Sequence, residues 1–424
     1  MNNLYDKYYL VYNQIEEFYL FELESSGNLI YKVFDKCMKL IDKYIILSNN
    51  VLGFSLTLDS TNRINLVYLL ESGDLFLCIN DGLNWTKSLI GTLDTKSNIY
   101  HQFEILNLNN KINIIFTFSN AIHHLILDNN IQKQNNVIKY ILRKGYNEFS
   151  VGFDKMGTIH LLYNTTTNYE SYIYHSFYSP YKGTWNTNPK ELSTRNKNNS
   201  NPYLFIDSKS NVHTVWLEME NSNYRLKYAK MPVIGKNKFI WQNINIYIPI
   251  KNKFTPIIYE FNGVLKILCY DNESTININS YDFGEKWLNG KSENISNSCR
   301  FIRFAKANNM HPELIINNVL VRNSKIEDLY DLYIDSYFGN EVDKENITKA
   351  TNSKTNLDDK DIIVNLKLKE FEQSNKMPID MNEIKSLLNQ VLKNQESIIT
   401  EINNINNIKF ERKPSLVEKI FRGY

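Results

Sequence analysis

An all-β propeller of six blades, followed by an α-helical coiled-coil segment, is what three features of the 424-residue sequence predict together. A short apolar run recurs six times, as Tyr8 to Tyr12, Ile64 to Tyr68, Ile112 to Phe116, Ile159 to Tyr163, Val212 to Trp216 and Leu265 to Cys269, its ends 47 to 56 residues apart. A period near 50 residues with several strands inside it is the signature of propeller blades. The octet Ser280 to Trp287 is a hairpin turn with imperfect relatives elsewhere in the chain. Beyond Pro378 the apolar residues change to spacings of three and four, a heptad seam.

Composition agrees with sheet. The chain has 28 Tyr and 22 Phe, side chains that suit a half-buried pleated surface. Its length holds one large domain with an appendage. Lys and Arg number 48 against 46 Asp and Glu, and no basic stripe is clustered, which argues against a nucleic-acid binder. The N-terminus has no basic region followed by an apolar run and small cleavage residues, so no signal peptide is read. A cytoplasmic protein fits, as does one assembled on a spore or particle surface. No stretch reaches a membrane-spanning length. Cys37, Cys78, Cys269 and Cys299 lack CxxC spacing and read as buried free thiols.

Within each repeat the recurring run is taken as the second strand. First strands precede most of them, at Phe54 to Leu58, Phe103 to Leu106, Phe149 to Phe153, Tyr203 to Ile206 and Pro256 to Tyr259. Third strands follow, from Leu75 to Ile79 in the second unit through Thr275 to Asn279 in the last. A fourth strand usually carries or follows a tryptophan, Trp85, Trp185, Trp241 or Trp287. Nothing before Tyr8 can serve as a first strand for the first unit, and Phe301 to Ala305 is its candidate, closing the ring against Tyr8 to Tyr12. Residues 1–310 are therefore the propeller and 311–340 a closing or capping extension. Seven blades is the alternative, the seventh built from Leu314 to Val321 and Leu329 to Tyr337.

In the octet, Ser280 and Asp282 can hydrogen-bond the turn backbone, Gly284 can take φ > 0, and Trp287 can lie over the hairpin. Gly82 and Trp85 keep their places in a second copy that has Asn80 where the octet has Asp282. The pattern S-x-D-x-G-x-x-W resembles the Asp-box, or BNR repeat, of sialidase-like and other propellers. The resemblance implies a propeller with these turns away from the binding face. Sialidase-like catalysis would need an arginine cluster, a tyrosine paired with a glutamate, and an aspartate. The chain has nine arginines and no Arg-Ile-Pro signature, and no family catalytic residue can be placed on it.

Residues 341–377 are polar and charged and read as a linker, with Ile362 to Phe371 alternating in part. Residues 378–410 form the coiled coil. Met381, Leu388, Gln395 and Ile402 occupy a positions, and Ile384, Val391, Ile398 and Ile405 occupy d. β-Branched residues at d favour trimers or tetramers, and Gln395 would fix register at a cost in stability. Residues 411–424 form an amphipathic basic tail, read as packing against the coil in preference to a membrane contact.

His160 and His213 share one register position, where other units carry Tyr9, Asn65, Asn113 and Lys266, and are read as outward-facing and structural. His123 and His124 point to opposite faces of a strand, so they cannot grip one metal. No nucleophile motif, phosphate loop, metal constellation or cofactor motif is found. The sequence therefore points to a non-catalytic propeller displayed in several copies, with a glycan or another protein as ligand. Tyr163, Tyr174, Tyr178, Trp216 and Tyr270 are candidates for a sugar site, though most read as blade core. The rivals are a sialidase-like glycoside hydrolase and an intracellular scaffold of a spore coat or phage-like particle.

Overall fold

The computed structural model describes residues 8–322 apart from short loops, of which 96–101 and 139–147 are the longest. The chain divides into two units, residues 1–340 and 341–424. Met381, Ile384, Leu388, Val391, Gln395, Ile398, Ile402 and Ile405, the linker and the basic tail all lie outside the described residues, as does Leu329 to Tyr337.

Six sheets, antiparallel except for one pairing in the first, form the six blades. Blade 2 runs Val51–Leu58, Ile64–Leu70, Asp74–Asn80 and Trp85–Thr92 in order, and blade 3 repeats the meander from Phe103–Leu108 to Ile131–Ile138. Blade 4 begins at Phe149–Phe153, blade 5 at Asn198–Ile206 and blade 6 at Thr255–Phe261. First strands of neighbouring blades touch around a common centre.

The recurring apolar run is continuous, not alternating, because each second strand has both faces covered by other blades. In Ile64–Leu70, Leu66 and Tyr68 pack with Tyr9, Phe21 and Phe54 on the blade 1 side. Val67 and Leu69 pack with Phe103, Ile105 and Ile112 of blade 3. Ile159–Thr167 does the same, with Leu161 and Tyr163 toward blade 3 and Leu162 toward blade 5. Fully burying one such side chain is worth about 1.5–3 kcal/mol, and the ring multiplies that gain at every seam.

Blade 1 closes the ring, and Phe301 to Ala305 does pair with Tyr8 to Tyr12. Cys299–Lys306 lies beside Tyr8–Tyr12 with Arg303 opposite Tyr9. This pairing is parallel, unlike the antiparallel first-to-second pairs of the other blades. Tyr8–Tyr12, read from the sequence as a second strand, thus runs in the direction of a first strand, and Phe18–Leu23 is its antiparallel second. Cys299–Lys306 and Tyr8–Tyr12 run in one direction because the closing strand arrives from the far end of the chain and not through a hairpin turn. Phe18–Leu23, Leu29–Phe34 and Leu40–Leu47 complete the blade outward. Leu314 to Val321 builds no seventh blade. Leu314–Ile315 pairs with Thr255–Phe261 of blade 6, and Asn318–Arg322 pairs with Cys299–Lys306.

Turns that follow first and third strands share one face, here the turn face. Hydrogen bonds link them from blade to blade. Asn308 N donates to Asn62 Oδ1 (2.7 Å), Lys155 N to Ser210 Oγ (3.3 Å) and Ser208 N to Glu260 Oε2 (2.7 Å).

Two readings need correction. His160 and His213 are buried, not outward-facing, because the second strand has no solvent face. Each is matched by a carboxylate: His213 Nε2 lies 3.0 Å from Asp207 Oδ2, and His160 Nε2 lies 3.5 Å from Asp154 Oδ2. Cys37 is exposed on a turn, whereas Cys78, Cys269 and Cys299 are buried free thiols.

Candidate functional site

The repeated tryptophans hold blade to blade. Trp287 meets Tyr228 of blade 5 edge-on at 5.0 Å, Trp241 meets His175 of blade 4 at 4.9 Å, and Trp185 meets His124 of blade 3 at 5.6 Å. Trp85 of blade 2 lies 6.3 Å from both Phe21 and Tyr31 of blade 1. Three of these contacts end polar relays. His213 Nδ1 lies 2.7 Å from the Tyr228 hydroxyl, and His160 Nδ1 lies 3.1 Å from His175 Nε2. Trp185 Nε1 donates to His124 Nδ1 at 3.2 Å, and His124 Nε2 reaches Asn113 Oδ1 at 3.0 Å. Burial drives the His124 pKa down to about 4 and pushes that of His175 well below the usual histidine value. For Asp207, burial raises the carboxyl pKa, but hydrogen bonds from His213 and Asn211 outweigh it and leave the group below the usual range. The His124 and His175 imidazoles are therefore neutral at pH 7 and pack between the blades.

Ser280 and Asp282 build the turn of blade 6. Gly284 N donates to Ser280 Oγ (2.8 Å), and Asp282 Oδ1 accepts from Lys286 N (2.9 Å) and Glu285 N (3.1 Å). Gly284 has φ +86, and a Cβ there would stand 1.9 Å from the Tyr228 hydroxyl. These residues border no described cavity.

Gly82 and Trp85, by contrast, border a cleft of about 550 Å³ between blades 1 and 2 on the turn face. Short polar residues form its rim. Asn13 Oδ1 accepts from Ile15 N and Glu17 N, and Asp59 Oδ1 accepts from Thr61 N and Arg63 N, so each closes a turn between a first and a second strand. Gly82, at φ +96, donates its N–H to Asn80 Oδ1. One wall is aromatic: Tyr31 and Tyr44 stack at 4.9 Å, with Tyr19 edge-on to Tyr31 at 6.2 Å.

The charged groups of this cleft are Glu17, Asp42 and Arg63. Arg63 Nε is bound to Asp59 Oδ2 at 2.7 Å. Glu17 Oε2 accepts from the Tyr19 hydroxyl (3.0 Å) and from Asn13 Nδ2 (3.2 Å). Burial and the neighbouring Glu17 push the Tyr19 pKa up to about 12, so it stays a phenol at neutral pH. A hydrogen bond from Tyr44 holds Asp42 below the usual carboxylate range. Among the described residues no group of three or more His, Cys, Asp or Glu side chains could hold a metal ion.

The aromatic candidates for a sugar site do not converge there. Tyr163, Tyr178, Trp216 and Tyr270 are buried in blade core, and Tyr174 packs against it. Apart from Gly82 and Trp85, the residues that line the cleft are not among those the sequence singles out, although a sequence signal marks the rim. An Asx residue four positions before its turn partner recurs at Asn13 and Glu17, Asp59 and Arg63, Asp154 and Thr158, and Asp207 and Asn211.

A second, smaller cavity of about 90 Å³ lies at the centre, lined by Gln102, Glu148, Ser150, Asn201, Arg303 and Asn318 among others. Arg303 is ion-paired with Glu104 of blade 3, tying the closing strand to a blade two places along the ring. Burial raises the pKa of Glu148, which accepts a hydrogen bond from Asn201 N at 2.8 Å.

No family model and no curated protein matches this chain. Among solved structures it is similar to the SapL1 lectin in complex with α-methyl fucoside. The identity is 10% and the TM-score 0.42, over 68% of this chain and 96% of that one. The six-bladed fungal lectin of Aleuria aurantia gives 11% identity and a TM-score of 0.41 over 68% and 95%. The Cps50 (Swd1) β-propeller domain of Myceliophteria thermophila gives 12% and 0.42 over 78% and 98%.

Proposed function

We propose that the chain is a non-catalytic, carbohydrate-binding propeller, with the cleft between blades 1 and 2 as its ligand site. The stacked Tyr31 and Tyr44 pair beside Asp42, Arg63 and Asn80 carries this reading. A sugar ring presents a C–H face that packs on an aromatic wall, and hydroxyls that bond carboxylate, amide and guanidinium groups at its rim. The cleft volume of about 550 Å³ suits one or two sugar units. Against catalysis stand the phenol state of Tyr19 and the single arginine in the cleft, which is already committed to Asp59.

On the same reading, residues 280–287 are an Asp-box with a structural role. Residues 378–410 assemble three or four copies, so that weak sites on one assembly gain avidity. The test is a glycan array probed with the full chain, with a chain ending at Asn340, and with Tyr44→Ala. Binding should weaken at least tenfold in the shortened chain and in the variant, and light scattering should give three or four copies only for the full chain. Absence of glycan binding refutes the carbohydrate reading and favours the scaffold. Turnover of an aryl glycoside above the blank refutes the non-catalytic one.

A further inference from the structure

Ile15, Met156, Tyr181, Ile234 and Tyr281 are 70, 72, 97, 76 and 66% exposed, the highest values among the large apolar side chains of the described residues. All five sit on turns that follow a first or third strand, and so all five project from the turn face. Blades 4 and 5 are neighbours and carry the densest part of this display. Met156, Tyr181 and Ile234 are joined there by Phe239 and Ile240, each 57% exposed.

The same turns carry Lys155, Lys182, Lys236 and Lys238. Their one acidic residue, Asp154, is buried against His160. From residue 221 to residue 259 the chain has seven lysines and arginines and no aspartate or glutamate. The loop at 232–240 is also braced. Phe239 N donates to Pro232 O at 2.7 Å and Ile240 N to Asn237 O at 3.2 Å. Phe239 has φ 62, a left-handed conformation that is costly for a bulky side chain. Internal hydrogen bonds therefore hold an unfavourable conformation in a loop whose apolar side chains stay in water.

We infer that the turn face of blades 4 and 5 docks on an anionic lipid surface. Ile234, Phe239 and Ile240 enter the headgroup region, and Lys236 and Lys238 meet the acidic headgroups. The display favours lipid over a protein partner because its apolar tips stand on three separate turns, at Met156, at Tyr181 and on the 232–240 loop. A protein would need a matching pocket for each tip, whereas a fluid interface accepts them singly. Apolar side chains and lysines together supply the two signals that peripheral attachment requires. Among the described residues no helix is long and apolar enough to cross a membrane.

The test is flotation of the full chain with phosphatidylcholine vesicles and with vesicles also containing about a third phosphatidylserine. The parent should float with the anionic vesicles, and less so as salt is raised. Lys236→Gln/Lys238→Gln should weaken binding about thirtyfold, from roughly fivefold for each lysine near an anionic surface. Ile234→Ser/Phe239→Ser/Ile240→Ser should weaken it at least tenfold with the melting temperature unchanged. If that variant melts early, the charge variant decides. The inference is overturned if the parent fails to float with anionic vesicles, which leaves the face to a protein partner. It is also overturned if it floats equally well without phosphatidylserine, or if a well-folded variant floats like the parent, which would place binding on another part of the chain.

Discussion

Acidification should destabilise the propeller through His124, and the amount follows from its surroundings. His124 accepts the Trp185 indole N–H at Nδ1 and faces Asn113 Oδ1 through Nε2, so it is neutral with its proton on Nε2. A second proton would have to sit on Nδ1 and break the contact that joins blades 3 and 4. Burial holds the folded pKa near 4, whereas an unfolded histidine titrates near 6.5. The unfolded chain therefore takes up the proton first, and stability falls as pH drops. The contribution is intact above about pH 6.5, about 2 kcal/mol is lost by pH 5, and about 3 kcal/mol by pH 4. Urea unfolding followed by tryptophan fluorescence, at about pH 7.5 and about pH 5, measures it. Carboxylates titrate in the same range, so the informative quantity is the difference between the parent and His124→Gln, whose amide also donates and accepts. That difference should shrink by about 2 kcal/mol at the lower pH. A difference that stays constant between the two pH values would refute the buried neutral histidine.

Gly284→Ala should cost about 1–3 kcal/mol, because alanine is strained at φ +86 and its Cβ collides with the Tyr228 hydroxyl; thermal melting checks it, and an unchanged Tm would mean that the turn is not packed on blade 5. Arg303→Met leaves Glu104 buried without its partner and should cost about 3–5 kcal/mol, whereas Arg303→Met/Glu104→Gln should recover most of the loss in a urea titration. A chain ending before Phe301 loses the closing strand and should no longer unfold cooperatively; calorimetry showing one sharp transition would falsify the closure.

Much of the architecture could be read from the sequence, for a physical reason. Each second strand is pressed between two blades, so Leu66 to Leu70 and Val215 to Leu217 read as apolar stretches that stand out from ordinary alternation. The same packing misled the reading of His160 and His213. A polar residue in a regular run suggests a solvent face, and the carboxylates that make burial tolerable, Asp154 and Asp207, lie in the preceding turns. Pairing between Cys299–Lys306 and Tyr8–Tyr12 was legible from the missing first strand, but its parallel direction was not, because no local signal encodes the sense of a contact between chain ends. The cleft was not legible at all. Asn13 and Asp59 each have a sufficient local role in closing a turn, and only the docking of blades 1 and 2 turns those roles into a shared rim.

The parallel strand at the centre also sets an order of events during synthesis. The strand that covers the edge of Tyr8–Tyr12, Cys299–Lys306, leaves the ribosome about 290 residues after it. At about 5–20 residues per second that edge waits roughly 15–60 s with its backbone hydrogen bonds unmade, while the later blades stack one after another. The nascent chain is thus an open arc until Cys299–Lys306 emerges, and it becomes a ring in a single step.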